Sequence, residues 1–539
     1  MTGSSPIAEA ALKLEGDWNA SPRIVRDPDA AAARDHDLIV VGGGIYGVCV
    51  ALEAAQRGLR PLLVERDDFG GATSWSSLRI VHGGLRYLQK LDLHRFNESV
   101  PERRWFCRVL PDLVRPLTCL MPLYGDGLRK PWIFRIALAM NDWLSRTRND
   151  GLREDSLLHG GRVISPDDLA ELFPKVDARG LRGGGMWHDA YMQSSERVLI
   201  ELLRWACGAG ATALNYVEVT DLIREGDRVA GVEAVDGVTG RSLRLRAPRV
   251  ITCGGPWSRP MSATFDREAP ELIAPSLAFN LMLDRPSISP AAVAVTPRQP
   301  DARTYFVLPW KGKVFAGTCH LPWSGGLGAI GPDESQIAGF LDDLNAAIPG
   351  FGVTREHVMR VYAGIVPAVA EGSDKTSGRA VIVDHATRGG PRGLVSVSGV
   401  KYTTARLVAE TALRAAYGDE LGPYDPTRIT PPQGVAERFV DLDHRDDADA
   451  VRRLAAEEAV VHVDDLLLRR VDLTVGPMRA AVLGERVCDA LGWAMPRRAA
   501  ELSRWAMICR GPAFGGATAR IEHGQADAPA YAEASAGGA

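Results

Sequence analysis

The sixteen residues SWSSLRIVHGGLRYLQ, Ser74 to Gln89, hold two arginines, a histidine, a glycine pair and a run of small hydroxyls. A solvated loop would carry the charges without Gly83 and Gly84 beside His82, so another group is expected to approach this backbone closely. A second candidate lies upstream in DLIVVGGGIYGVCVALEAAQRGLRPLLVE, where Gly42, Gly44 and Gly47 form GxGxxG. That spacing gives a tight turn, a backbone bare enough for a pyrophosphate and a close helix–strand contact. Glu65, about twenty residues on, stands where an acid accepts hydrogen bonds from ribose hydroxyls.

The elements that must position these residues are legible around them. Leu38 to Val41 is a short apolar run stopped by glycines. A helical stretch rich in Ala and Leu follows, then Gly58, then a second apolar run from Pro61 to Val64. The order strand, turn, helix, strand is that of a dinucleotide fold. Two later segments look like backbone closing over a ligand: RVITCGGPWSRP, with a strand at Val250 to Thr252 before Gly254 and Gly255, and GLVSVSGVKYTTARLVAETAL, with a strand before Gly399 and a helix opening at Thr403 and Thr404. Such a helix start offers free N–H groups to a phosphate or flavin carbonyl, although plain capping explains the threonines equally well.

With 539 residues, 46% of them apolar, the chain is long enough for two or three packed units and for burying a large cofactor. A net charge of -4 gives no pull toward nucleic acid, and no basic patch interleaved with aromatics is present. The eight cysteines form no CxxC, and the histidines do not pair with carboxylates at ligand spacing, so neither a disulfide framework nor a metal site is expected. Residues 1–34 read as a tail without a secretory signal, and 516–539 as a flexible one. No stretch suits a spanning helix, so the expected location is cytoplasmic, with any contact at the inner membrane peripheral.

Five segments in order, GGGIYG, ATSWSSLRIVHGGLRYLQ, ITCGGPW, RTYFVLPWKGKVFAGT and SGVKYTTARLVAE, resemble the FAD-dependent glycerol-3-phosphate dehydrogenases, as do the C-terminal EEAVVHVDDLLLRRVDLTV and LGERVCDALGWAMPRRAAELSRW. The resemblance runs from about Asp37 to Cys509 and implies an α/β flavoprotein of the amino-acid-oxidase type. A Rossmann-like FAD domain over 35–422 is interleaved with an antiparallel-sheet substrate domain, mainly 256–365, and a helical domain follows over 423–515. Within that last domain, Arg469 and Arg470 read as a solvated helix end or a contact for lipid headgroups or a partner.

On this resemblance, FAD is contacted by Gly42, Gly44, Ile45, Tyr46, Gly47, Glu65, Arg66, Thr73, Ser74, Ser77, His82, Gly83, Gly84, Val217, Gly254, Gly255, Trp257, Gly399, Val400, Lys401, Tyr402 and Thr403. His82 is equally read as satisfying a backbone carbonyl. The implied reaction is oxidation of a secondary alcohol, with hydride passing to flavin N5 and a base removing the hydroxyl proton. His320 and Lys401 are the candidate bases, and Arg86 and Arg303 the candidate ligands of a substrate anion. The electron acceptor, quinone or oxygen, is left open. So are a homodimer and a peripheral membrane contact.

The departures fall on the substrate side. Val366 stands where the family carries an arginine before proline, Leu277 and Asn280 where it carries a lysine and a histidine in RPTKGSH, and Gly317-Thr318-Cys319-His320 replaces GTTD. Each lost charge-assisted bond removes about 1.5–3 kcal/mol from anion binding. A bulkier or less anionic alcohol, or an amine, is therefore an alternative substrate, with Trp187, Trp257 and Trp310 as candidate pocket walls. A flavin-binding protein without turnover is a further alternative. A purely NAD-dependent enzyme is disfavoured, because it would not need the SGVKYTTAR segment.

Overall fold

The computed structural model describes residues 22–88, 92–299, 302–422, 435–438, 440–442, 447–471, 473–511 and 514, the side chains of Arg86, Leu128, Ala436 and Glu437 excepted. Strand β1 (Leu38–Val41), helix α1 (Ile45–Gln56) and strand β2 (Pro61–Val64) form where the apolar runs and glycines require. β1 lies between β2 and the strand Val250–Thr252, with Ile39 opposite Leu62 and Val40 opposite Ile251, both pairings parallel. Leu394–Ser398 and Thr212–Leu214 extend this sheet in parallel on either side, and Val381–Asp384 closes one edge antiparallel. α1 packs against helices Ser195–Gly208 and Ala405–Tyr417. Helices on both sides explain why it is apolar all round rather than striped.

A second, nine-stranded sheet roofs one end of the first. Its strands come from two distant stretches, from Ile80 to Met192 and from Pro275 to Pro367, and so extend upstream of the expected 256–365. All neighbours are antiparallel except Ala292–Val295 beside Val114–Leu123. At one edge of this sheet, Pro275–Leu283 pairs with the outermost strand Val358–Pro367 and sets Asn280 opposite Tyr362 and Ser276 opposite Val366.

The C-terminal region is helical over its described parts, with Ala448–Glu457, Pro477–Ala490 and Arg497–Arg510 around a core that includes Leu454, Leu483 and Trp505. Arg469 and Arg470 correct the reading of a solvated helix end. Both are buried, and both guanidinium groups donate to the carboxylate of Asp68, just beyond β2, with Arg470 Nη2 to Asp68 Oδ1 at 2.8 Å. Burial alone would raise the Asp68 carboxyl, but Arg470 and Arg469 outweigh it and hold the group well below the usual carboxylate range. Of the expected N-terminal tail, residues 22–34 are packed instead: the Ile24 N–H donates to the Glu457 carbonyl at 2.8 Å, and a short helix forms at Pro28–Ala32.

Candidate active site

Between the two sheets runs a groove of about 1030 Å³. One end is built on the turn after β1. Gly42 has φ +108°, and a Cβ there would lie 2.5 Å from the Cys253 carbonyl oxygen; at Gly47 a Cβ would collide with the Gly42 carbonyl, which is why α1 can pack so near the turn. Gly44 caps α1 without a side chain, leaving the helix N-terminus toward the groove. Glu65 accepts from the Gly43 N–H at 2.6 Å and the Asp67 N–H at 3.0 Å, and burial pushes its carboxyl upward. Arg66 lies over the Trp257 ring, 4.2 Å from its centroid, and both line the groove with Val217, Gly254 and Gly255.

The hydroxyls of the Thr73–Ser77 stretch fasten this turn to the roof. Ser74 Oγ accepts from the Ile45 N–H at 3.0 Å, Thr73 Oγ1 donates to the Ile365 carbonyl at 2.9 Å, and Ser76 Oγ donates to the Ala363 carbonyl at 2.6 Å. Gly364 is required there, since a Cβ would stand 2.9 Å from Thr73. Gly399 similarly leaves room for the Tyr46 ring, whose hydroxyl donates to the Lys401 carbonyl at 2.7 Å. Asn280, a lost cation by sequence, is a cross-link. Its Nδ2 donates to the Ser76 carbonyl at 2.7 Å and its Oδ1 accepts from Thr318 Oγ1 at 2.8 Å, tying the loop to two roof strands. Asn280, Thr318 and His320 line the groove, as do Val366, Ser77, Val400 and Tyr402.

Other expected residues lie outside the lining. Gly83 and Gly84 are small because Arg103 and Phe96, both on the following helix Leu93–Val109, press against them. The Gly83 N–H donates to Asp189 Oδ1 at 2.6 Å, which also accepts from Arg103 at 2.6 Å, while His82 stands 3.6 Å from Asp189 Oδ2. Trp187 donates to that same Oδ2 at 3.0 Å and is buried, as is Trp310, and neither lines the groove. Lys401 holds its ammonium 4.1 Å from the centroid of Tyr87, Thr403 is buried, and Arg303 bridges the His320 carbonyl and the Asp374 carboxylate. Arg86 as a phosphate ligand falls outside what is described of that residue.

The bare glycine turn, the N-terminus of α1 facing the groove and the half-buried Glu65 fit an extended dinucleotide such as FAD: the turn and helix end would hold the pyrophosphate, and Glu65 the ribose. Comparisons with known proteins agree. The FAD dependent oxidoreductase family model matches residues 37–413. A glycerol-3-phosphate dehydrogenase of Synechocystis is 31% identical over 423 residues, 75% of this chain and 74% of its own. The mitochondrial glycerol-3-phosphate dehydrogenase of Arabidopsis thaliana is 31% identical, with 77% and 66% covered; the chain spans 53% of the length of the human mitochondrial one. The solved Bacillus halodurans glycerol-3-phosphate dehydrogenase, complexed with FAD, superposes with a TM-score of 0.66 over 90% of this chain and 97% of its own at 21% identity, a likeness of fold. The chain belongs to the FAD-dependent oxidoreductases and, within them, to the glycerol-3-phosphate dehydrogenase family.

Proposed function

We propose that the enzyme oxidises the secondary hydroxyl of glycerol 3-phosphate. The observation that carries this reading is the meeting of His320, Asn280 and Thr318 at the roof of a groove whose other end is built for a dinucleotide. Bound FAD supplies the two-electron acceptor. His320 takes the hydroxyl proton. Arg303, which lies outside the groove lining, fixes the His320 main chain and, by turning from Asp374 toward substrate phosphate, supplies the positive charge that Val366 does not. The relatives give no support to a non-catalytic flavin binder. Anaerobic addition of glycerol 3-phosphate should bleach the flavin band, unphosphorylated glycerol should not, and His320→Asn should slow the bleaching by about 100-fold or more. A band that only dithionite bleaches would reject glycerol 3-phosphate as substrate.

Among the described residues no helix is long and apolar enough to cross a membrane. The helix Pro131–Leu144 nevertheless buries Phe134 and Leu138 while exposing Trp132, Ile136 and Trp143 at 61%, 59% and 66% along one stripe. Lys130, Arg135 and Arg146 are exposed around it. Tryptophans ringed by cations suit the headgroup level of an anionic bilayer. This helix is the proposed peripheral membrane contact, and a lipid-soluble quinone the acceptor it favours. Sedimentation with phosphatidylglycerol vesicles should fall at least about tenfold when Trp132 and Trp143 are both changed to Ala. Equal sedimentation of both proteins, or none of either, would remove the helix from this role.

A further inference from the structure

We infer that the C-terminal helical domain sets the affinity for FAD, with Asp68 and Tyr216 as the positioning residues through which it acts. The inference rests on the reading that the groove holds FAD. Both walls of its Glu65 end are short segments tied to that domain. The first wall, Glu65–Asp67 and Gly70–Gly71, flanks Asp68, whose carboxylate is held by Arg469 and Arg470 and also accepts from Asn215 Nδ2 at 3.0 Å. Asn215 Nδ2 donates in turn to the Ala459 carbonyl at 2.8 Å.

The second wall, Val217–Val219, begins beside Tyr216. Tyr216 adopts a left-handed conformation, φ +54°, that a tyrosine holds only under external constraint. Its carbonyl accepts from the Gly237 N–H at 2.8 Å, and two further bonds tie Tyr216 to the first wall and to the helices. Its N–H donates to the Asp67 carbonyl at 3.0 Å, and its hydroxyl donates to Asp465 of the C-terminal domain at 2.6 Å. The Val217 N–H then donates to the Glu65 carbonyl at 2.8 Å, so the two walls are fastened to each other as well as to the helices behind them. None of Asp68, Tyr216, Arg469, Arg470 and Asp465 lines the groove, which is why their influence must pass through the walls.

The test is made on the full-length protein stripped of FAD, by titrating FAD and following the quenching of its fluorescence, with thermal unfolding of the apoprotein measured beside it. Tyr216→Phe keeps the ring and loses only the bond to Asp465. It should raise the FAD dissociation constant about fivefold with little change in apoprotein melting, and Asp68→Asn should raise it about 30-fold or more. A merely structural role would lower melting and leave the dissociation constant alone. A constant within twofold of wild type for Tyr216→Phe overturns the inference even if Asp68→Asn fails to fold. Failure of the wild-type protein itself to bind FAD would instead overturn the assignment of the groove, and this inference with it.

Discussion

Gly42→Ala is expected to yield a folded but colourless protein whose FAD dissociation constant is raised by about 100-fold or more. The left-handed φ at this position costs an alanine about 1–2 kcal/mol. The larger effect is steric. The new methyl would stand 2.5 Å from the Cys253 oxygen and 3.0 Å from its carbonyl carbon, and both are backbone atoms that no rotamer change can withdraw. Relief requires the turn after β1 to part from the strand Val250–Thr252, and that turn carries the N-terminus of α1, which the pyrophosphate needs. Gly240→Ala is the matched control. It has φ +72° with nothing within 4 Å of its added Cβ, so it isolates the backbone term and should cost about 1 kcal/mol of stability without touching the flavin. Fluorescence titration and thermal unfolding of both variants decide the matter; undiminished FAD binding in Gly42→Ala would mean that the cofactor does not lie against this turn.

The dinucleotide half was legible because its signals are local. β1, Val250–Thr252 and Leu394–Ser398 are each followed by a glycine within two residues, and β2 by Glu65, so each strand is announced by its own sequence. The roof was expected only through the family resemblance, and its strand order was not legible, because its strands lie as far apart as Ile80 and Val358 and no periodicity within one strand names its neighbour. The same distance explains the misreadings. The glycine pair beside His82 has Arg103 and Phe96 of the helix Leu93–Val109 against it, which no local pattern announces, since a glycine records that something comes close and not what. Arg469 and Arg470 looked solvated because their partner, Asp68, is about 400 residues upstream. Asn280 looked like a missing charge because a residue that bonds two segments at once has no signature in either.

Asp189→Asn should be the most destabilising single change on the substrate side. Its carboxylate gathers the Gly83 N–H, the Arg103 guanidinium and the Trp187 indole N–H within 2.6–3.0 Å, and Arg103 is only 3% exposed. A carboxamide of the same shape removes the charge and leaves the guanidinium buried without its counterion, which costs about 3–5 kcal/mol. Burial tends to raise the Asp189 carboxyl, but the nearby His82 imidazole and the Arg103 charge outweigh it and hold the group far below the usual carboxylate range. The sign of the pH dependence follows. A depressed native pKa contributes stability that is complete above the unfolded value near 4 and is lost as pH falls through and below it, where the native carboxylate keeps its charge while the unfolded one takes up a proton. Urea unfolding should therefore show wild type ahead of Asp189→Asn by about 3 kcal/mol or more at pH 7. That gap should narrow steadily from pH 5 toward pH 3, because the variant has no proton to exchange at this site. A gap independent of pH would mean that the cost lies in packing, and that Asp189 does not fix the Gly83 backbone through its charge.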